Sequence, residues 1–301
     1  MKYFNAIRNL YNLNVNEIII SDNKNYEDYV IKTNEKQNVH SISKFVTALC
    51  VGLAIEQGYI KHGIDEPVLK YFYDIKIEDN RNYSILKQAT IEHLITLTLG
   101  YDHRMLDSYE IEQLGERNLV SYVLNTPIVY KPGSYFLYSS APFYLLSVIV
   151  SRATGMCLFD FAQKNLFSKL EISDVSWQKS KQGYDLGCTG LTISCKDLHK
   201  LGRLMINDGE DHNEMIVPEK WIKEMRSIQV HSPNYYDEKR VLPKYGYGFG
   251  LWICKNGTYF CDGTDGQYII ISPPKNIVVS IVSSQKEMPI ITESIKDLFL
   301  T

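Results

Sequence analysis

Apolar residues fall at helical spacing from Lys2 to Leu13, and Glu17 to Ser21 follows as a β-branched run, so the chain is expected to open with a helix and then a strand. Towards the other end the order reverses. Gly248 to Cys254, Thr258 to Asp262, Gln267 to Ser272 and Ile277 to Ser284 read as short strands, and Asn256-Gly257 is a strong hairpin signal. From Pro289 to Leu300 the residues Ile290, Ile291, Ile295, Leu298 and Phe299 lie on one stripe and predict a closing helix. Between about Gly58 and Lys244 the signals are mostly helical, with loops at Pro132-Gly133 and Gly155. Two ends that each carry helix and strand, around a helical middle, predict an α+β fold. An antiparallel sheet built from both chain ends would be flanked by N- and C-terminal helices, with a mainly helical lobe inserted. Residues 1–301 then form a single domain, its α/β lobe drawn from 1–60 and 245–301 and its helical lobe from 61–244.

Two segments depart from amphipathic patterning. Phe45 to Ile55 is apolar nearly all round and ends at Gly58, and Ala141 to Val150 is a second such run. Both predict buried helices.

Composition narrows the function classes. With 45% hydrophobic and 22% charged residues, 301 residues suffice for a large folded core, and disorder is not expected. A net charge of -3 offers no basic footprint, so nucleic acid is a poor partner. The segment Met1 to Val15 lacks the apolar core of a signal peptide and no run is long enough to span a bilayer, so the expectation is a cytoplasmic protein without a membrane partner. Cys50, Cys157, Cys188, Cys195, Cys254 and Cys261 lie far apart, with no C-x-x-C pair and no histidine at ligand spacing. They are expected as reduced core thiols, with no metal and no organic cofactor.

Chemistry concentrates at Ser41-Ile42-Ser43-Lys44. The S-x-x-K pattern also occurs at Ser21, Ser84, Ser176, Ser272 and Ser283, so spacing alone says little. The copy at Ser41 differs because it opens a buried helix. Residues three apart on a helix share a face, which brings Lys44 to the Ser41 hydroxyl. Burial and the positive helix end both lower a lysine pKa towards the neutral amine that a base must be. A helix start also leaves the Ser41 amide free to serve an oxyanion. His40, just before it, reads as a loop residue. A second cluster, Lys131 to Ser140, places Tyr138 and Ser140 in the loop before the second buried helix.

Ser41 and Lys44, then Tyr138-Ser139-Ser140 about a hundred residues on, then a glycine-bearing strand near the carboxyl end, is the order of parts in S-x-x-K acyl-transfer enzymes. Nearly the whole chain resembles the β-lactamase-related serine hydrolases, a family that includes class C β-lactamases, penicillin-binding DD-peptidases and esterases. Ile64 to Phe72, Thr90 to Gly100 and Gly190 to Leu198 resemble the segments that link the family's motifs. The resemblance implies a β-lactamase/transpeptidase-like fold with Ser41, Lys44 and Tyr138 as catalytic residues and Ser140 at the substrate. It maps the third motif, commonly Lys-Thr-Gly or His-x-Gly, onto Cys261-Asp262-Gly263 as substrate-binding positions, with the Thr264 amide beside that of Ser41 in the oxyanion hole.

The basic residue of that third motif is missing. A neutral Cys261 cannot hold a substrate carboxylate, and Asp262 beside it is expected to repel one. Gly263 is expected to let a substrate backbone approach. No counterpart of a class A deacylating glutamate is visible, so water activation would fall to Tyr138 with Lys44. The expected function is hydrolysis of a small ester or amide through an acyl-enzyme, and that small molecule is the partner expected. The alternatives are a catalytically impaired binding or assembly module, a glutaminase on a similar fold, and a β-lactamase or DD-peptidase acting on carboxylate-bearing substrates.

Overall fold

The computed structural model describes residues 2–299. Its strands are β1 (Val15–Ser21), β2 (Tyr26–Val30), β3 (Gln37–Asn38), β4 (Ser176–Trp177), β5 (Leu191–Ile193), β6 (Glu210–Asp211), β7 (Glu214–Met215), β8 (Val230–His231), β9 (Gly246–Tyr247), β10 (Trp252–Ile253), β11 (Tyr259–Gly263), β12 (Gln267–Ser272) and β13 (Ile277–Ser283). An eight-stranded sheet runs in the order β2-β1-β13-β12-β11-β10-β9-β8. The α+β architecture read from the sequence is therefore present, with β1 from the start of the chain zipped antiparallel to β13, from Val15 opposite Ser283 to Ser21 opposite Val278.

β1, β12 and β13 are buried at every position, because this sheet is covered on both faces. Residues directly opposite on neighbouring strands share a face. Ile19, Ser280, Ile269 and Cys261 thus stand on one side, and Ile18, Ile281, Tyr268 and Asp262 on the other. The first side is covered by the helix Cys195–Ile206, whose Gly202 is so close that a Cβ there would lie 2.7 Å from Val278 and 3.0 Å from Ile269. The second meets the C-terminal segment, where the Tyr268 hydroxyl donates to the Met288 carbonyl at 3.5 Å.

The helix Ser43–Glu56 is buried from Ser43 to Ala54. It packs beside the helix Ala141–Thr154, and the Trp221 indole donates to the Ala48 carbonyl at 3.0 Å. Covered on all sides, it needs no polar face, which is why its sequence shows none.

Several boundaries differ from the sequence reading. The opening helix is Phe4–Ile7 followed by a 3-10 stretch Arg8–Asn12, and the closing one is Met288–Ser294 followed by a 3-10 turn Lys296–Leu298. Leu300, assigned to that last helix from the pattern, lies outside the described residues. The strand expected over 248–254 shrinks to β10, because Gly248 and Gly250 are packing points: a Cβ at Gly248 would sit 2.0 Å from the Met225 carbonyl oxygen. Among the described residues no single helix is long and apolar enough to cross a membrane.

Candidate active site

Ser41 sits in a 3-10 turn, His40–Ile42, between β3 and the helix Ser43–Glu56. β3 is paired with β5, and the Val39 amide donates to the Leu191 carbonyl at 2.8 Å. His40 adopts a left-handed φ of 48°, uncommon for a residue with a side chain, and is held there by the Asn38 side chain, which accepts its N–H at 2.9 Å. The turn that presents Ser41 is thus fixed by neighbours on both sides.

Lys44 is 1% exposed, and its Nζ lies 3.0 Å from the Ser41 Oγ and 3.0 Å from the Cys188 carbonyl oxygen. Burial pushes its pKa down to about 8, against the opposing pull of Cys188 and Asp262. The segment 187–191 runs along the helix: Thr47 donates to the Gly187 carbonyl at 2.8 Å, and the Leu191 amide donates to the Ser43 hydroxyl at 3.2 Å. Cys188 was not among the sequence candidates, since a backbone carbonyl leaves no side-chain signal. Among the described residues only the Ser41 copy of S-x-x-K brings its lysine onto the serine hydroxyl. Ser21 is bonded to His199, Ser84 to the Asn80 carbonyl, Ser272 to Thr258 and Ser283 to the Asp265 carbonyl.

Tyr138 and Ser140 occupy the loop that enters the helix Ala141–Thr154, as the pattern predicts. The loop is pinned at Met105, whose amide donates to the Ser139 hydroxyl at 3.0 Å and whose carbonyl accepts from the Ser140 amide at 3.2 Å. The Tyr138 ring stacks on Trp252 with centroids 5.1 Å apart, and the Lys44 ammonium lies 5.1 Å from its centre. Burial raises the Tyr138 pKa far above the usual phenol range, with Asp262 adding to the effect and a hydrogen bond with Ser41 opposing it. This phenol stays protonated. Burial raises the pKa of the Cys188 thiol, opposed first by the Lys44 charge and more weakly by the Ser140 hydroxyl.

The third sequence element lines up along β11. A Cβ on Gly263 would lie 2.4 Å from the Val39 carbonyl oxygen, so the close approach this glycine permits is to the backbone leading into Ser41, within the chain itself. Neither the Ser41 nor the Thr264 amide donates to another group among the described residues, leaving both free for an oxyanion. Cys261 is 3% exposed, on the face covered by the helix Cys195–Ile206.

Asp262 corrects the expectation of a bare repelling charge. Its Oδ2 is 2.8 Å from the Lys244 Nζ, and its Oδ1 accepts from the Trp252 indole at 3.1 Å. A cation does stand at this edge, supplied from the loop before β9 and already neutralised. Around it Phe136, Tyr138, Tyr235, Tyr247 and Trp252 form an aromatic wall, with Arg104 5.7 Å from the centre of the Tyr235 ring. Sequence reasoning missed this wall because its members are spread over more than a hundred positions among 22 tyrosines.

The arrangement can activate a serine: a hydroxyl, a buried amine able to lose its proton, a neutral phenol and two free amides converge. Among the described residues no three His, Cys, Asp or Glu gather as metal ligands, and the six cysteines are free thiols.

The chain is similar to several known proteins. The sequence profile described as Beta-lactamase matches residues 18–290. The 6-aminohexanoate-dimer hydrolase of Paenarthrobacter ureafaciens is 22% identical over 262 residues, covering 81% of this chain and 65% of that protein, so this chain spans just under two thirds of that relative's length. The penicillin binding protein from Bacillus halodurans superposes with a TM-score of 0.75 at 17% identity, over 97% of this chain and 99% of the other. EstCE1, described as a hydrolase with promiscuous acyltransferase activity, does so with a TM-score of 0.73 at 16% identity, over 98% and 97%.

Proposed function

Because this chain belongs to the beta-lactamase family, we propose that it is a serine hydrolase that cleaves small, uncharged esters or amides through an acyl-enzyme on Ser41. The observation that carries this reading is the 3.0 Å contact between the Ser41 hydroxyl and the buried Lys44 amine. The Ser41 oxygen attacks the carbonyl carbon while its proton passes to Lys44 Nζ, and the negative charge collects on the carbonyl oxygen between the amides of Ser41 and Thr264. Collapse breaks the bond to the leaving group, which takes the proton from Lys44 through the Tyr138 hydroxyl. In the second half a water gives its proton to Lys44, its oxygen attacks the acyl carbon, and Ser41 recovers its hydrogen as the acid departs. Tyr138 relays and orients, since a phenol held protonated by burial cannot itself be the base.

The preference for uncharged acyl donors rests on the edge of β11. Lys244 is 16% exposed and committed to Asp262, so a substrate carboxylate would have to displace an existing partner. The names of a relative, 6-aminohexanoate-dimer hydrolase, and of a structural neighbour, a hydrolase with promiscuous acyltransferase activity, support hydrolysis and acyl transfer.

The test is covalent trapping. A fluorophosphonate probe is expected to label the wild-type protein and not Ser41→Ala, and intact-mass spectra with a panel of esters, amides and β-lactams are expected to show an acyl adduct strongest for uncharged donors. An unlabelled wild type would assign the fold to a binding role instead.

A further inference from the structure

On the far edge of the sheet, four strands and so roughly 19 Å from β11 at ordinary strand spacing, lies a cleft that plays no part in the chemistry above. It has a volume of about 430 Å³, enough for a molecule of nucleotide size. One wall is the helix Cys195–Ile206, from which Lys196, Lys200 and Arg203 project at the i, i+4, i+7 spacing of a single helix face. Lys200 is already engaged, 3.0 Å from Asp197 and donating to the Glu171 carbonyl at 2.8 Å. The other two cations are not. Lys196 is exposed and has no partner among the described residues, and the Arg203 Nη1 is sealed from solvent without a hydrogen-bond acceptor.

A guanidinium N–H that is both dry and unpaired is unfavourable, so this arginine is not neutralised within the chain. The rest of the Arg203 guanidinium lines the cleft without a partner among the described residues, and there a ligand oxygen would meet it. Asp211 and the Glu171 side chain border the cleft as well, and their charge directs an anion away from them towards the helix wall. At the rim the Tyr26 ring is 54% exposed and stands edge-on to His199, with centroids 5.6 Å apart. His199 adds no charge: its two ring nitrogens are bonded to Ser280 and Ser21, and burial lowers its pKa to about 3. Two free cations beside an aromatic face match a dianion with a ring attached to it.

We propose that this cleft is a second binding site, separate from Ser41, that takes a small phosphate-bearing ligand on Arg203 and Lys196. Isothermal titration calorimetry on the full chain, with inorganic phosphate in one series and adenosine monophosphate in another, tests it. Saturable binding that weakens with added salt is expected, and Arg203→Gln and Lys196→Gln should each reduce affinity by about tenfold, the loss of one charge-assisted contact. Ser41→Ala should bind as the wild type does, and ester hydrolysis should be unchanged in both cleft variants. Tighter binding of the monophosphate, lost in Tyr26→Ala, identifies a phosphate ester; equal affinities identify free phosphate. No heat from either compound at millimolar concentration, or affinity unmoved by both substitutions, overturns the proposal. Lys196 is exposed, so its variant remains informative even where Arg203→Gln disturbs the fold.

Discussion

Lys244 and Asp262 form a closed ion pair at the mouth of the site, 2.8 Å apart, with the Lys244 ammonium 4.2 Å from the centre of the Trp252 ring. Neutralising Asp262 without removing Lys244 releases a cation at the edge of β11, against the Trp252 ring. Asp262→Asn is therefore expected to speed acylation by carboxylate-bearing β-lactams, by about tenfold for one regained charge-assisted contact, while leaving neutral esters nearly unchanged. Stopped-flow acylation rates for a penicillin and a neutral ester check this. Equal effects on both would mean that Lys244 does not reach the substrate. Cys261→Lys, the substitution that the sequence alone suggests, should instead destabilise the fold, because its side chain points at the helix Cys195–Ile206.

Because the base must be an unprotonated amine, kcat/KM should rise with pH and level off above about 8, the value to which burial brings Lys44. Below it, activity should fall roughly tenfold per pH unit. A plateau extending to pH 6 would remove Lys44 from the role of base.

The same burial makes Lys44 a liability for stability. Its pKa is about 8 in the folded protein against the ordinary 10.5, so between these values the unfolded chain holds a proton that the folded one gives up. Stability thus rises with pH across that window, and the penalty is complete below it. Lys44→Met should raise stability at pH 7 by about 1–3 kcal/mol, after allowance for the Cys188 carbonyl losing its donor, while abolishing turnover. Thermal melts at pH 7 and at pH 10 should show the advantage shrinking at the higher pH; an advantage independent of pH would contradict the linkage.

Gly263→Ala places a methyl against the Val39 carbonyl oxygen, where neither backbone can yield easily. A cost of about 1–3 kcal/mol is expected, together with a fall in kcat of about tenfold or more as the Thr264 amide is displaced. Thr264→Ala, which keeps that amide, should be nearly silent, and Thr264→Pro, which removes it, should not. A strong effect of Thr264→Ala would assign the role to its hydroxyl.

The parts of the fold legible in the sequence are those where one physical demand dominates. β12 and β13 announce themselves because both faces are buried and β-branched residues fill them, and the Ser43–Glu56 helix because it must be apolar all round. β2 was overlooked: it lies at the sheet edge, and Tyr26, Glu27 and Asp28 carry no apolar alternation. At the candidate site, the contact of Ser41 with Lys44 was readable because residues three apart share a helix face, and Tyr138 was reached through the order of parts in the family that the chain resembles. Lys244 was not, since an ion pair between positions 244 and 262 has no period to betray it. Nor was the direction of Cys261 against Asp262, which depends on the register of β11 with β12 and only then on alternation along the strand.

The pairing of β1 with β13 also sets the timetable on which the chain becomes competent. Val15 waits for Ser283, 268 positions later, and β11, which leads into Thr264, lies only 20 to 24 positions before that partner. Loop closure of that length is slow and cannot begin until the distal strands have left the ribosome. A nascent chain already carries Ser41 and Lys44, yet it lacks the strand that would stabilise the charge on a substrate oxygen. On the proposed mechanism, catalysis is withheld until the sheet closes, and a growing chain spends most of its synthesis with Ser41 idle.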